Sequence, residues 1–161
     1  MGRGERDPRD ATSAAEAPRR CERCGSAELR EATETVSVEL AGGHFKASAP
    51  VPARRCARCD GVELDGAAME RFRLHVGCQL ADGGVHTGEA LRYMRKALGL
   101  RACDLARLLD VTPETISHWE TGKAKPSCAA LVVTAAMIQD CMEGRTTTRD
   151  RLDALAAARG R

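Results

Sequence analysis

Four cysteines in two pairs are the residues best suited to chemistry in this chain of 161 residues. Cys21 pairs with Cys24 and Cys56 with Cys59, and 31 residues separate the two pairs. Two residues between paired cysteines let both sulfurs face one ion, and four thiolates form the closed tetrahedral set of structural zinc sites. The spacing therefore predicts one structural zinc ion per chain. Gly25 and Gly61 follow the pairs, where tight turns favour glycine.

The same sulfurs could serve an iron site of the rubredoxin type, two redox-active dithiols or disulfides. Redox dithiols belong to a βαβ context, which the sequence does not predict. Residues 1–20 lack the apolar segment of a secretory signal, so we expect a reducing cytoplasm, which disfavours disulfides. The iron site remains the alternative.

A catalytic metal site requires an open coordination position and a general base. Four thiolates leave neither, so we expect no enzymatic activity. His44 is not needed as a ligand.

Four further cysteines stand singly in segments with helical periodicity. We expect each of them to be a small, buried, apolar residue rather than a ligand. They are Cys78, Cys103, Cys128 and Cys141.

Residues 102–119 fit the steric template of a helix-turn-helix, two helices that cross steeply over a short turn. Ala106 supplies the small residue at the crossing, and Asp110 takes the left-handed turn position. Thr112 caps the second helix, and Pro113 occupies its first turn. The apolar anchors are Leu105, Leu109, Val111, Ile116 and Trp119.

The second of these helices carries short or planar polar side chains suited to base edges in a major groove. Basic residues beside it would contact phosphates and position the protein without reading sequence. The predicted base-reading residues are Glu114, Thr115, Ser117 and His118, the predicted phosphate contacts are Arg107, Lys123 and Lys125, and Thr112 completes the DNA-binding set.

The charge distribution agrees with a nucleic-acid surface in the second half. Residues 21–65 hold six basic and eight acidic side chains, whereas residues 86–126 hold seven basic and five acidic ones. The overall net charge of +2 is too small to indicate a polyanionic partner by itself. No stretch approaches the roughly 20 apolar residues of a membrane span.

Two alternating segments flank Ala41-Gly42-Gly43 and predict a β-hairpin whose second strand ends at Pro50 and Pro52. From Asp65 onward helical periodicity begins, with Met69, Phe72, Val76 and Leu80 on one face. The expected fold class is α+β, a hairpin zinc module followed by an all-α domain of five helices. The expected divisions are a disordered tail (1–20), the zinc module with a trailing helix (21–80), a glycine hinge (81–86), the helix-turn-helix domain (87–142) and a C-terminal tail or short helix (143–161).

The segment from Gly99 to Ser127, which includes Val111-Thr-Pro-Glu-Thr-Ile-Ser-His-Trp-Glu120-Thr-Gly122, resembles the Xre/lambda-repressor-like family. This resemblance implies a five-helix DNA-binding domain in which Thr115, Ser117 and His118 face bases. It also implies that Glu120 braces the domain through an arginine of the first helix, Arg95. Ala102 stands where the family usually has a polar residue, so we expect one phosphate or base contact fewer, with an effect on affinity rather than on the fold.

The four cysteines around a hairpin resemble the YgiT-type zinc finger, and this finger followed by an Xre-type domain is the architecture of MqsA-family antitoxins. The resemblance implies a repressor of its own operon that binds a palindromic operator as a homodimer and a toxin through its zinc module. Three rivals remain: a stand-alone Xre regulator whose zinc module docks another partner, a four-cysteine iron electron carrier, and a protein-interaction adaptor with a degenerate helix-turn-helix.

Overall fold

The computed structural model describes residues 20–159 and has the α+β architecture that the sequence predicts. The tail predicted for residues 1–20 lies outside the described residues, apart from Arg20. A three-stranded antiparallel sheet comes first, and helices follow. The elements are β1 (Leu29–Leu40), β2 (Phe45–Cys56), β3 (Val62–Leu64), α1 (Gly66–Asp82), α2 (Gly88–Ala97), α3 (Ala102–Leu109), α4 (Pro113–Glu120), α5 (Cys128–Met142) and α6 (Thr147–Arg159). Among the described residues, no helix is long and apolar enough to cross a membrane.

The predicted β-hairpin is confirmed, with longer strands than the alternating pattern suggested. β1 and β2 pair from Leu40 opposite Phe45 at the turn to Leu29 opposite Cys56 at the far end. The turn is a short 3₁₀ segment, Ala41–Gly43, and all three of its residues have positive φ. Only glycine adopts such angles without strain, which explains the glycine pair.

The prediction that Pro50 and Pro52 end the second strand is wrong, because β2 continues to Cys56. The two prolines differ by two positions, so their nitrogens face the same side of the strand. The carbonyl of Pro52 accepts a hydrogen bond from the Asp65 N–H at 2.8 Å, which shows that this backbone faces away from β1. The missing N–H groups therefore cost no ladder hydrogen bond with β1.

Helix α1 packs against both the sheet and the later helices. Phe72, Val76 and Leu80 are buried as predicted, in a cluster that includes Leu40 and Val51 of the hairpin. The opposite face of α1 approaches α5 so closely that a Cβ added at Gly77 would lie 3.1 Å from Cδ1 of Ile138. α1 consequently connects the two cores, as does α2, which contributes Ala90 to one cluster and Leu91 to the other.

The predicted hinge is a hydrogen-bonded helix end in the structure. The Val85 N–H donates to the Leu80 carbonyl at 3.1 Å, and Gly84 has a positive φ of 63°, as in a Schellman C-cap. A second link joins the hairpin turn to α2, since the Ala41 N–H donates to the Glu89 carboxylate at 2.6 Å. The division of the chain at 81–86 stays a prediction.

The expectation that the single cysteines are buried is wrong for three of the four. Cys103, Cys128 and Cys141 are exposed, and Cys78 is half-buried. Cys103 and Cys128 lie in the first turns of α3 and α5, and Cys141 lies in the last turn of α5. These helix ends lie outside the core, which the middle of each helix contacts.

Candidate metal centre and nucleic-acid interface

The two cysteine pairs form two knuckles with the same backbone hydrogen bonds. In the first, the Gly25 N–H donates to the Cys21 carbonyl at 2.8 Å, and in the second the Asp60 N–H donates to the Cys56 carbonyl at 2.9 Å. Gly25 and Asp60 are the left-handed residues, with φ of 72° and 56°. The tight-turn position of the second knuckle is thus Asp60, one residue before the predicted Gly61.

Gly61 is instead explained by limited space. A Cβ at this position would lie 3.2 Å from the sulfur of Cys59, closer than most side chains tolerate. The second knuckle is the connection between β2 and β3, a strand that the sequence did not predict. Arg55 ties this knuckle to the hairpin, because it donates to Asp60 at 3.2 Å and to Glu34 at 2.5 Å.

The four sulfurs converge as the spacing predicted. The sulfurs of Cys21, Cys24, Cys56 and Cys59 all lie within 4.8 Å of one another, and the Cys21–Cys59 and Cys24–Cys56 distances are both 3.6 Å. A zinc–sulfur bond of about 2.3 Å in a tetrahedron places the sulfurs roughly 3.8 Å apart. The arrangement therefore fits a four-thiolate metal site.

The backbone around the site favours the thiolate form of one ligand. The N–H groups of Cys59 and Arg58 lower the pKa of the Cys56 thiol to about 7. Metal binding requires deprotonated cysteines, so this sulfur is prepared for coordination. His44 lies at the opposite end of the hairpin, next to the turn, and does not belong to the cluster.

The helix-turn-helix forms from α3 and α4, with the predicted turn residues in their expected roles. Asp110 is left-handed at φ 59° and ψ 45°. Thr112 caps α4 by accepting the Thr115 N–H at 3.2 Å, and Pro113 follows in the first turn. Ala106 and Ile116 are buried at the crossing, which confirms the small residue and the central anchor.

A buried ion pair braces α4 against α2, as the family resemblance implied. Arg95 donates from Nε to Oε1 of Glu120 at 2.6 Å and from a terminal nitrogen to Oε2 at 2.9 Å. Both side chains are only 9% exposed, and Arg95 also donates to the Leu100 carbonyl at 2.6 Å. This two-bond contact fixes the end of α4 relative to the core.

The outer face of α4 presents the predicted base-reading side chains to solvent. Glu114, Ser117 and His118 are exposed, whereas Thr115 is half-buried, and its hydroxyl lies 3.1 Å from that of Thr112. Two hydrogen bonds lower the pKa of the Glu114 carboxyl. The larger effect comes from the backbone N–H of Glu114 itself and the smaller from the Thr112 side chain. Lys123 and Lys125 are exposed on the loop that follows. The roles of these residues toward DNA stay predictions.

Arg107 is not free at the surface, because helix α6 engages it. Its guanidinium lies 2.7 Å from the Asp153 carboxylate, and its carbonyl accepts a hydrogen bond from Arg159 at 3.3 Å. Arg159 also lies 3.5 Å from the carboxylate of Asp110. The sequence predicted a C-terminal tail or short helix here but not its contact with the helix-turn-helix.

Gly88 is a positioning residue that the sequence analysis missed. A Cβ built on it would lie 1.7 Å from the carbonyl oxygen of Trp119, so the first turn of α2 touches the backbone of α4 directly. Thr87 caps α2 by accepting the Ala90 N–H at 3.1 Å, and a glycine immediately after this residue was the available signal, since glycine is unfavourable inside a helix.

Comparison with known families agrees with this geometry. Residues 91–131 match the family model described as Helix-turn-helix, a range that runs from α2 into α5. The chain therefore contains an Xre-like helix-turn-helix domain beside a four-cysteine cluster. No protein in a search of curated proteins matched the sequence.

Proposed function

We propose that this protein is a sequence-specific transcriptional repressor of the MqsA antitoxin type, which binds a palindromic operator as a homodimer and does no chemistry itself. The observation that carries the proposal is the exposed polar face of α4, held by the buried Arg95–Glu120 pair within a segment that matches the helix-turn-helix family. Such a face enters the major groove while its brace fixes the helix direction.

Within this proposal, His118, Ser117, Thr115 and Glu114 read base edges, and Lys123 and Lys125 contact phosphates. Arg107 contacts phosphate only if it leaves Asp153, since the same guanidinium serves both. In a two-fold dimer the recognition helices lie about 34–36 Å apart, one turn of DNA. Three exposed apolar side chains near the C-terminus, Val132, Met142 and Leu155, support self-association there.

The division of DNA roles is tested with two variants on operator and random DNA. His118→Ala should relax the preference at particular base pairs by about 1–3 kcal/mol, because it removes a base contact. Lys123→Ala should weaken all sequences alike and lower the salt dependence of binding. Equal losses on both DNAs for both variants would contradict the assignment.

We further propose that the four-cysteine site holds one structural zinc ion. The sulfur distances and the complete thiolate set support it, since a closed tetrahedral sulfur site is typical of structural zinc. Metal analysis of the purified protein should give one zinc per chain. A visible absorption band of ferric thiolate would instead favour the iron site.

The antitoxin assignment adds a protein partner, a toxin bound through the zinc module. The charge balance supports this division, because four thiolates with one divalent ion carry a formal charge of −2 beside a segment that is already acidic. Capture from the native cell, with identification of the bound protein and sequencing of the bound DNA, tests both halves. A partner encoded next to this gene and DNA from its own promoter are expected; enrichment of neither would contradict the antitoxin role.

A further inference from the structure

An apolar groove of about 370 Å³ opens between the hairpin and the first two helices. Its apolar lining consists of Val36 and Val38 of β1, Met69 and Phe72 of α1, and Ala97 of α2. Its size falls within the range of small-molecule sites, which are mostly apolar with a few polar groups. The groove is separate from the cysteine cluster and from the exposed face of α4.

Two cations stand at this groove, Arg73 from α1 and Lys96 from α2. Neither forms an ion pair with a carboxylate in residues 20–159. Arg95, the neighbouring residue of Lys96 on α2, is by contrast paired with Glu120. The groove therefore combines apolar walls with positive charge that the described chain leaves uncompensated.

Tyr93 supplies a third polar group. It also lines the groove, and its hydroxyl is buried with no hydrogen-bond partner among the described residues. An unpaired buried hydroxyl is costly, and native structures rarely retain one without a reason. Burial raises the pKa of Tyr93, and the charge of Arg73 opposes that shift, so the phenol is a neutral donor close to a cation. Lys96 is three residues further along the same helix, on the same face.

We propose that this groove binds a small amphipathic monocarboxylate, with its apolar body between the hairpin and α1 and its carboxylate between Arg73, Lys96 and Tyr93. An anion meets both free cations and gives the Tyr93 hydroxyl the acceptor that it lacks. A neutral ligand could accept the Tyr93 hydrogen bond but would gain nothing from the two charges, and a cationic ligand would be repelled by them. A medium-chain fatty acid has this chemistry.

The bound ligand would contact both parts of the fold. Tyr93 and Lys96 lie on α2, whose Arg95 braces the recognition helix through Glu120, whereas Val36 and Val38 belong to β1 near the hairpin turn, away from the cysteine end. The site thus links the hairpin to the helix that braces α4, and its occupation does not depend on the proposed repressor function.

The test is calorimetric titration of the full-length protein with decanoate below its micelle concentration. Saturable binding of one decanoate per chain is expected, with decanol binding about tenfold more weakly because it lacks the charge. No saturable heat, or equal affinity for decanol and decanoate, would overturn the proposal.

Four variants separate a ligand site from a structural role or an interface between copies. Tyr93→Phe should weaken decanoate binding about tenfold while leaving the thermal midpoint unchanged or higher, because the hydroxyl has no partner to lose. Arg73→Gln should weaken binding similarly, and Arg71→Gln, an exposed arginine of the same helix outside the groove, should leave it unchanged. Equal effects of Arg71→Gln and Arg73→Gln would overturn the proposal. So would loss of self-association in sedimentation of Met69→Glu, since the groove would then be an interface between copies.

Discussion

The cysteine end of the sheet and the helical core are stabilised in different ways. At the cysteine end, Cys21 and Cys56 are buried, yet the neighbouring Val62 and Leu64 of β3 are about 40% exposed. The helical core instead buries a continuous cluster that includes Leu91, Leu105, Ile116 and Ile138. The first region has too little apolar burial to hold its two knuckles together, so its stability depends on the four sulfurs and what they bind.

Replacement of one ligand should give the largest effect. In Cys56→Ser the site loses a buried thiolate, and a structural zinc ion supplies about 10–16 kcal/mol of apparent binding energy to small modules. We expect residues 21–28 and 56–64 to lose their amide dispersion in NMR spectra, while the helices keep theirs. Cys128→Ser, at an exposed cysteine, is the matched control and should change neither region.

Removal of one partner from the buried ion pair should have the next largest effect on stability, and this effect concerns the helical core. Glu120→Gln leaves the Arg95 guanidinium uncompensated at 9% exposure, which costs about 3–5 kcal/mol. Chemical denaturation of the zinc-loaded protein measures the change. The double variant Arg95→Met/Glu120→Leu should recover most of the loss, because it leaves no buried charge; a double variant as unstable as the single one would contradict this explanation.

Two fragments would show to which region α1 belongs. The sequence places it with the zinc module, but in the structure it covers Ile138, which is fully buried. Fragment 66–161 should therefore be more stable than fragment 83–161 by at least the about 1.5–3 kcal/mol that burial of one large aliphatic side chain contributes. Equal thermal midpoints of the two fragments would support the division at 81–86 instead.

The features that could be predicted from sequence are those set by local chemistry. The cysteine spacing, the glycine turn, the cap Thr112 and the left-handed Asp110 each follow from a residue's own conformational or bonding preference, and all are found in the structure. The Arg95–Glu120 pair was anticipated only through the family resemblance, since nothing local connects residues 25 positions apart.

The features that sequence reasoning missed depend on contacts between distant elements. β3 is only three residues long and has no alternating pattern. The continuation of β2 through its prolines depends on which strand edge they face, and the position of α6 depends on Asp153 meeting Arg107. None of these can be derived from periodicity within one segment.

Gly88 offers the smallest and most specific test, because it separates stability from the placement of the recognition helix. Gly88→Ala puts a methyl group 1.7 Å from the Trp119 carbonyl, so α2 and α4 must move apart, at a cost of about 1–3 kcal/mol as in other overpacked contacts. Operator affinity, measured by fluorescence anisotropy, should fall more than the loss of stability explains, because the clash displaces α4 itself. Gly66→Ala is the matched control, because Gly66 also begins a helix and a Cβ there meets nothing within 4 Å. That variant should keep full operator affinity and a normal thermal midpoint. If Gly88→Ala bound the operator as tightly as the unaltered chain, the contact between α2 and α4 would not position the DNA-binding face.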